Sequence, residues 1–242
     1  MYIFVMVQMK EKYYGDGAGG SKQKSRLEEA SGERCLVVPY REMSMKVVRE
    51  LSPRAIAVSG FGGHFQDHKA EWFYGLDEVF HEADVPMIGF CGGHQLMGFC
   101  FNRNIRKLKL IYDQPMRLLR PNEHWPRVTG GTGRRYNLSK HFVAVGVFPV
   151  RRVRPDPLFD GLPQVMLMQC WHYCEVKRLP LGFVRLAESD HCRIEAMRHR
   201  TLPIYGTQFH PEAYAEPFLH GRKVLRNFAR IVDEFWKKRK ER

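Results

Sequence analysis

Short apolar runs, separated by polar and glycine-rich stretches, divide the chain into alternating strand-like and helix-like segments. Tyr2 to Val7 is a β-branched and aromatic run suited to an interior strand. Cys35-Leu36-Val37-Val38-Pro39 and Arg54-Ala55-Ile56-Ala57-Val58 read as a second and a third strand. Between the first two, residues 10–34 are polar and rich in Gly, Ser, Lys and Glu, which predicts a mobile loop and then a short helix around Leu27-Glu28-Glu29-Ala30. From Glu71 to Glu82, Trp72, Leu76, Val79 and Phe80 recur at helical spacing. Strand character returns at His141–Val150, Val165–Met168 and Phe183–Ala187. Arg193–Arg198 alternates as a half-buried strand should, and Ile204–Phe209 follows as another. The closing segment is an amphipathic helix with Phe218, Leu219, Val224, Leu225, Phe228, Ile231, Val232 and Phe235 on one face. Strands alternating with helices predict an α/β fold, a mostly parallel sheet flanked by helices, in one domain over residues 1–242.

Composition narrows the class. At 242 residues the chain can bury a full core, and no apolar run reaches the length of a membrane span. The first apolar run lacks a basic lead and a small-residue cleavage site, so it reads as a strand and not a signal peptide. Six scattered cysteines fit reduced thiols, and a cytoplasmic location is expected. The net charge of +13 is uneven: residues 103–154 carry thirteen Lys and Arg against Asp113 and Glu123, a local balance of +11. This basic insertion includes the turn cluster Thr129-Gly130-Gly131-Thr132-Gly133, and a second basic cluster closes the chain at Lys237–Arg242. Such patches suit an acidic partner or an anionic substrate. No nucleic-acid-binding signature accompanies them, so neither nucleic acid nor a membrane is expected as a partner.

The candidate chemistry centres on Met87-Ile88-Gly89-Phe90-Cys91-Gly92-Gly93-His94-Gln95. A strand, a glycine-flanked turn with a nucleophile at its tip and the start of a helix make a nucleophile elbow, here with cysteine. The helix N-terminus favours thiolate over thiol. A cysteine nucleophile needs a base and a group that orients the base. His210 stands at the end of the Ile204–Phe209 strand with Glu212 two positions on, where an extended backbone would point both side chains the same way. The third strand runs into Ser59-Gly60-Phe61-Gly62-Gly63-His64, a glycine-rich loop where α/β proteins place ligand-binding backbone N–H groups. The glycines of Gly15-Asp16-Gly17-Ala18-Gly19-Gly20 match neither the dinucleotide fingerprint nor the P-loop, and no cofactor is implied by any motif.

Gly89-Phe90-Cys91-Gly92-Gly93-His94-Gln95 together with Tyr205-Gly206-Thr207-Gln208-Phe209-His210-Pro211-Glu212 resembles the class I (triad) glutamine amidotransferase family. The nearest likeness in motif is the amidotransferase part of GMP synthetase, carried also by Leu179-Pro180-Leu181-Gly182-Phe183 and Ile194–His199, and γ-glutamyl hydrolases are similar too. The resemblance implies a flavodoxin-like fold and a Cys91–His210–Glu212 triad that hydrolyses the glutamine side-chain amide. It implies an oxyanion hole from the N–H of Gly92 and one from the Gly60-Phe61 loop. Gln95 and the backbone of Trp171-His172 would hold the substrate. No synthetase stretch follows in this sequence, which implies a subunit that supplies ammonia to a separate synthetase, with the basic insertion as a docking surface.

Two departures from the family pattern bear on the substrate. The usual Ser-His-x-Asp is here Trp171-His172-Tyr173-Cys174, so an acid expected at the substrate α-amino group is a thiol; the oxyanion loop has Phe61 where glycine is usual. These keep open a γ-glutamyl hydrolase acting on a γ-glutamyl amine or peptide, and a non-catalytic binding or regulatory protein on the same fold. Cys170, His172 and Cys174 alternate along one strand with His191-Cys192 nearby, a donor pattern for a metal. No C-x-x-C pair accompanies them and the segment aligns with a substrate-contact strand, so no metal is assigned.

Overall fold

The computed structural model describes residues 1–8, 20–60, 63–123 and 140–241. The glycines of residues 15–19, the turn cluster at 129–133 and Phe61 lie outside the described residues. The strands are β1 (Tyr2–Met6), β2 (Cys35–Pro39), β3 (Ala55–Val58), β4 (Met87–Phe90), β5 (Ala144–Arg152), β6 (Val165–His172), β7 (Phe183–Glu188), β8 (Ala196–His199) and β9 (Ile204–Thr207). They form one sheet in the order β2-β1-β3-β4-β9-β8-β7-β5-β6. The run from β2 to β9 is parallel throughout. Beyond β9 the neighbours pair antiparallel. Strands β1, β3, β4 and β9 are buried at every position. That burial on both faces is why they read as unbroken apolar runs.

Helices cover both faces. On one side Leu27 of α1 (Ser21–Ser31) packs with Val224, Leu225, Phe228 and Val232 of the C-terminal helix, His220–Lys240. On the other, Val48 of α2 (Met45–Leu51), Leu76, Val79 and Phe80 of α3 (Tyr74–Glu82), and Leu96 and Met97 of α4 (Gly92–Asn102) form a second core. The C-terminal helix is α5. Each such side chain, fully buried, contributes about 1.5–3 kcal/mol. No described helix is long and apolar enough to cross a membrane.

Three elements differ from the sequence expectation. Helix α1 fills residues 21–31 of the stretch expected to be mostly loop, framed by Gly20 and Gly32, both at positive φ. It buries only Leu27, so its apolar period is nearly invisible. Helix α2 has no counterpart in the hydrophobic pattern: two turns give no periodic signal, although the Ser44 side chain caps it by accepting from the Val47 N–H. Strand β8 begins at Ala196 and not at Arg193, because the Glu195 N–H turns aside to the Ala187 carbonyl at 3.0 Å.

The β4–α4 turn sets the geometry of everything near it. Cys91 has φ 46° and ψ −101°, a left-handed conformation that costs a non-glycine residue about 1–3 kcal/mol. The turn closes only because α4 lies against bare backbone. A methyl on Gly89 would stand 2.7 Å from the Gly93 carbonyl carbon, and one on Gly93 would stand 2.5 Å from the Val58 oxygen. Gly93→Ala should therefore lower unfolding stability by about 1–3 kcal/mol, read as a lower denaturation midpoint. An unchanged midpoint would mean that α4 has room to move and does not fix the turn.

Candidate active site

Strands β3, β4 and β9 are adjacent and parallel, so their carboxyl ends open at one place on the sheet edge. Gly60 follows β3, Cys91 follows β4 and His210 follows β9. Their proximity is direct: a methyl on Gly60 would stand 3.0 Å from His210 Cε1 and 3.2 Å from Cys91 Cβ. The Cys91 N–H donates to the Thr207 carbonyl at 2.7 Å, locking the elbow to β9.

His210 Nδ1 bonds Glu212 Oε1 at 2.7 Å. The reason differs from strand alternation. Pro211–Ala213 form one 3-10 turn, and Glu212 comes round on it to face the imidazole. Since a carboxylate only accepts, Nδ1 carries the proton in this bond. Nε2 is buried, makes no hydrogen bond of ordinary geometry, and is the nitrogen left for the Cys91 thiol. Burial disfavours a charged imidazole at His210. The charges of Glu212 and Cys91 outweigh it and hold its pKa well above the ordinary histidine value.

The sulfur of Cys91 lies 3.6 Å from the Trp171 carbonyl and 3.6 Å from Gln208 Nε2. Gln208, two residues before His210, stands within the sequence motif without a role of its own there; its amide donor steadies a thiolate. Gln95, expected at the substrate, donates instead to the Cys174 carbonyl at 2.9 Å and to Gln208 Oε1 at 3.3 Å. It braces the site and lines a different cavity from that of Cys91. Trp171 is 59% exposed while its carbonyl faces the Cys91 sulfur, as a backbone contact requires. His172 is buried and points its ring inward; burial lowers its pKa to about 3, so it is neutral. Gly92 opens α4 immediately after Cys91.

Of the expected oxyanion pair on the Gly60-Phe61 loop, Gly60 is in place and Phe61 lies outside the described residues. The far end of that loop is anchored from the basic segment. Asp113 accepts the Phe65 N–H at 2.9 Å and pairs with His64, and the Tyr173 hydroxyl donates to the Gly63 carbonyl. Neither anchor follows from a motif. Helix α1 contributes as well: the Arg26 guanidinium donates to the Glu212 carbonyl at 2.5 Å and stacks 3.8 Å over Tyr214.

A cavity of about 330 Å³ opens on Cys91, lined by Ser59, Gly60, Gln169, Trp171 and His210 among others. Among the described lining residues the one carboxylate is Glu212, already bonded to His210. Cys174, at the family's acidic position, is buried, and burial drives its thiol pKa far up, so it carries no charge.

The glutamine amidotransferase class-I family pattern matches residues 23–232, and the chain belongs to that family. Its likenesses among characterised proteins are consistent. It is 41% identical over 150 residues to a glutamine-hydrolyzing GMP synthase subunit of Archaeoglobus fulgidus, covering 62% of this chain and 63% of that one. To the protein of the same description from Thermococcus kodakarensis it is 31% identical over 191 residues, 78% of this chain and 81% of that one. The matches to A. fulgidus, Pyrococcus furiosus and Pyrococcus abyssi span 63–65% of those relatives, less than two thirds of their length. A crystal structure described as that of a putative GMP synthase subunit from Thermoplasma acidophilum superposes with TM-score 0.71 at 22% identity, covering 99% of this chain and 98% of that one. At that identity the likeness bears on the fold.

Glu212→Gln keeps the shape of the turn but removes the charge that raises His210. Burial then dominates, the imidazole loses its proton by neutral pH, and the Cys91 thiolate loses its counter-ion. Alkylation of Cys91 by iodoacetamide at pH 7 should fall roughly 10-fold or more and recover at alkaline pH, where the thiol ionises unaided. A pH–rate profile superposable on the wild type would contradict this assignment of Glu212.

Proposed function

We propose that the chain hydrolyses the side-chain amide of glutamine to glutamate and ammonia, as the ammonia-supplying subunit of a separate synthetase. The observation that carries this is the Cys91–His210–Glu212 arrangement at the ends of adjacent strands in a member of the class-I family. The Cys91 thiolate attacks the amide carbon, and the oxyanion forms against the N–H groups of Gly92 and the Gly60-Phe61 loop. A donor of this kind is typically worth about 3 kcal/mol. His210 passes its proton to the departing nitrogen, which leaves as ammonia, and Cys91 retains a γ-glutamyl thioester. The neutral imidazole then takes a proton from water, whose oxygen displaces the sulfur and releases glutamate.

Relatives described as glutamine-hydrolyzing GMP synthase subunits support this reading, and the basic region 103–154 is the surface proposed to dock the synthetase. A γ-glutamyl hydrolase is the second reading. The specific observation in its favour is uncharged Cys174 where an acid would meet a free α-ammonium group, which suits a γ-glutamyl peptide whose α-nitrogen is acylated.

Glutamate release from purified protein should be faster with L-glutamine, where ammonia appears in equal amount, than with γ-glutamyl amines, and Cys91→Ala should lower it about 10³-fold or more. Preference for a γ-glutamyl amine would select the second reading. No release with any of these substrates, with the GMP-forming synthetase partner present, would refute both.

A further inference from the structure

Next to Cys91 lies a second cluster, of which Cys170 lines the same cavity, that the proposed amidotransferase chemistry does not use. Cys170 and His172 flank Trp171 on β6 and project into the core, where Glu195 meets them from the turn before β8. All three are buried, and one donor atom from each lies within 4.8 Å of the others. Two of the donors are conspicuously unused: His172 Nε2 and Glu195 Oε2 make no hydrogen bond, in residues that are 2% and 1% exposed.

The surroundings fix which atoms are presented. His172 Nδ1 bonds the Cys174 carbonyl at 3.2 Å. A carbonyl only accepts, so Nδ1 carries the proton and Nε2 offers a lone pair. The Ser189 hydroxyl donates to Glu195 Oε1 at 2.7 Å, which leaves Oε2 as the free oxygen. Oriented in this way, a histidine held by a carbonyl and a carboxylate held by a hydroxyl are the outer-shell arrangement of metal ligands. Two unpartnered acceptors and a thiol beside them lack a positive centre. Bonds of about 2.0–2.3 Å to zinc put neighbouring ligand atoms roughly 3.3–3.8 Å apart, so an ion would draw together donors that without it lie within 4.8 Å of one another.

We propose that Cys170, His172 and Glu195 form a binding site for one Zn²⁺ ion, distinct from the Cys91–His210 pair. Thiolate, imidazole and carboxylate are the donor types that zinc takes, and three protein ligands leave the fourth position to solvent. The charge balance is favourable. A thiolate and a carboxylate together balance the charge of one divalent ion. Binding replaces the thiol proton and the carboxyl proton, where present, with one divalent ion, and the buried cluster stays neutral. The ion would tie β6 to the 189–195 turn, and so fix the strand whose Trp171 carbonyl faces the Cys91 sulfur. Sequence spacing suggested Cys174 as the third donor. In the structure the carbonyl of Cys174 orients His172, and Glu195 takes the third place.

The test is titration of chelator-stripped, reduced protein with Co²⁺, followed by Zn²⁺ competition and metal analysis. Expected are one ion per chain, a near-ultraviolet thiolate-to-cobalt band displaced by Zn²⁺, and a raised Tm. Cys91→Ala should keep the band. Cys170→Ala should abolish it, and the near-isosteric Glu195→Gln should weaken affinity about tenfold or more, each variant checked for native circular dichroism. Absence of bound metal in the wild type would overturn the proposal and leave protons as the only charges holding the cluster. A band lost in Cys91→Ala would overturn it by placing the ion on the catalytic thiol. Undiminished affinity in Glu195→Gln would likewise refute this donor set, even if Cys170→Ala failed to fold.

Discussion

The close approach of helix α4 to the backbone of β3 and β4 is the contact on which the site depends. With no side chain at Gly93, the first turn of α4 rests on the Val58 carbonyl, and with none at Gly89 the strand can pass beneath it. Cys91 is then forced into a left-handed conformation that holds its sulfur out at the sheet edge. The strain is local and is offset by two bonds that a relaxed turn would lose: Cys91 N–H to Thr207 and Gln95 N–H to the Cys91 carbonyl. The first of these ties Cys91 to β9, the strand that His210 follows.

From that fixed point the remaining groups are arranged by shared backbone. The His210 N–H donates to the Gln169 carbonyl at 2.8 Å, which joins the histidine to β6, the same strand whose Trp171 carbonyl faces the sulfur. Gln95 and Gln208 bridge the elbow helix to the segment after β6. Asp113 and Tyr173 hold the loop that leaves Gly60. Asp113 belongs to the basic segment 103–154 and meets the chain at His64 and Phe65. Burial disfavours charge on both buried histidines; at His210 the charges of Glu212 and Cys91 outweigh it, whereas at His172 burial prevails and the ring stays neutral.

Much of this was legible in the sequence where chemistry requires a particular residue at a particular place. The elbow glycines around Cys91, the strand ending in His210 and the fully buried runs of β1, β3 and β4 are of this kind. Pairing Glu212 with His210 follows from the sequence for a reason that the backbone does not obey, since a 3-10 turn replaces the extended segment. What stayed hidden depends on contacts between residues distant in sequence. Asp113 is one acid in a basic run until the fold sets it beside His64, 49 positions away. Gln95 looked like a substrate ligand, yet its amide is taken by Cys174. Glu195, in the alternating Arg193–Arg198 segment, is buried beside Cys170 and His172 of β6, a contact that no local pattern announces.

The central claim is that Cys91 carries the acyl group of its substrate through a covalent intermediate. The most direct test is intact-protein mass spectrometry on samples quenched in acid within the first turnover of L-glutamine. A mass increase of one γ-glutamyl group, mapped to the peptide containing Cys91 and absent in Cys91→Ala, is the predicted result. Rapid ammonia release with Cys91 unmodified at every quench time, and undiminished in Cys91→Ala, would contradict the account.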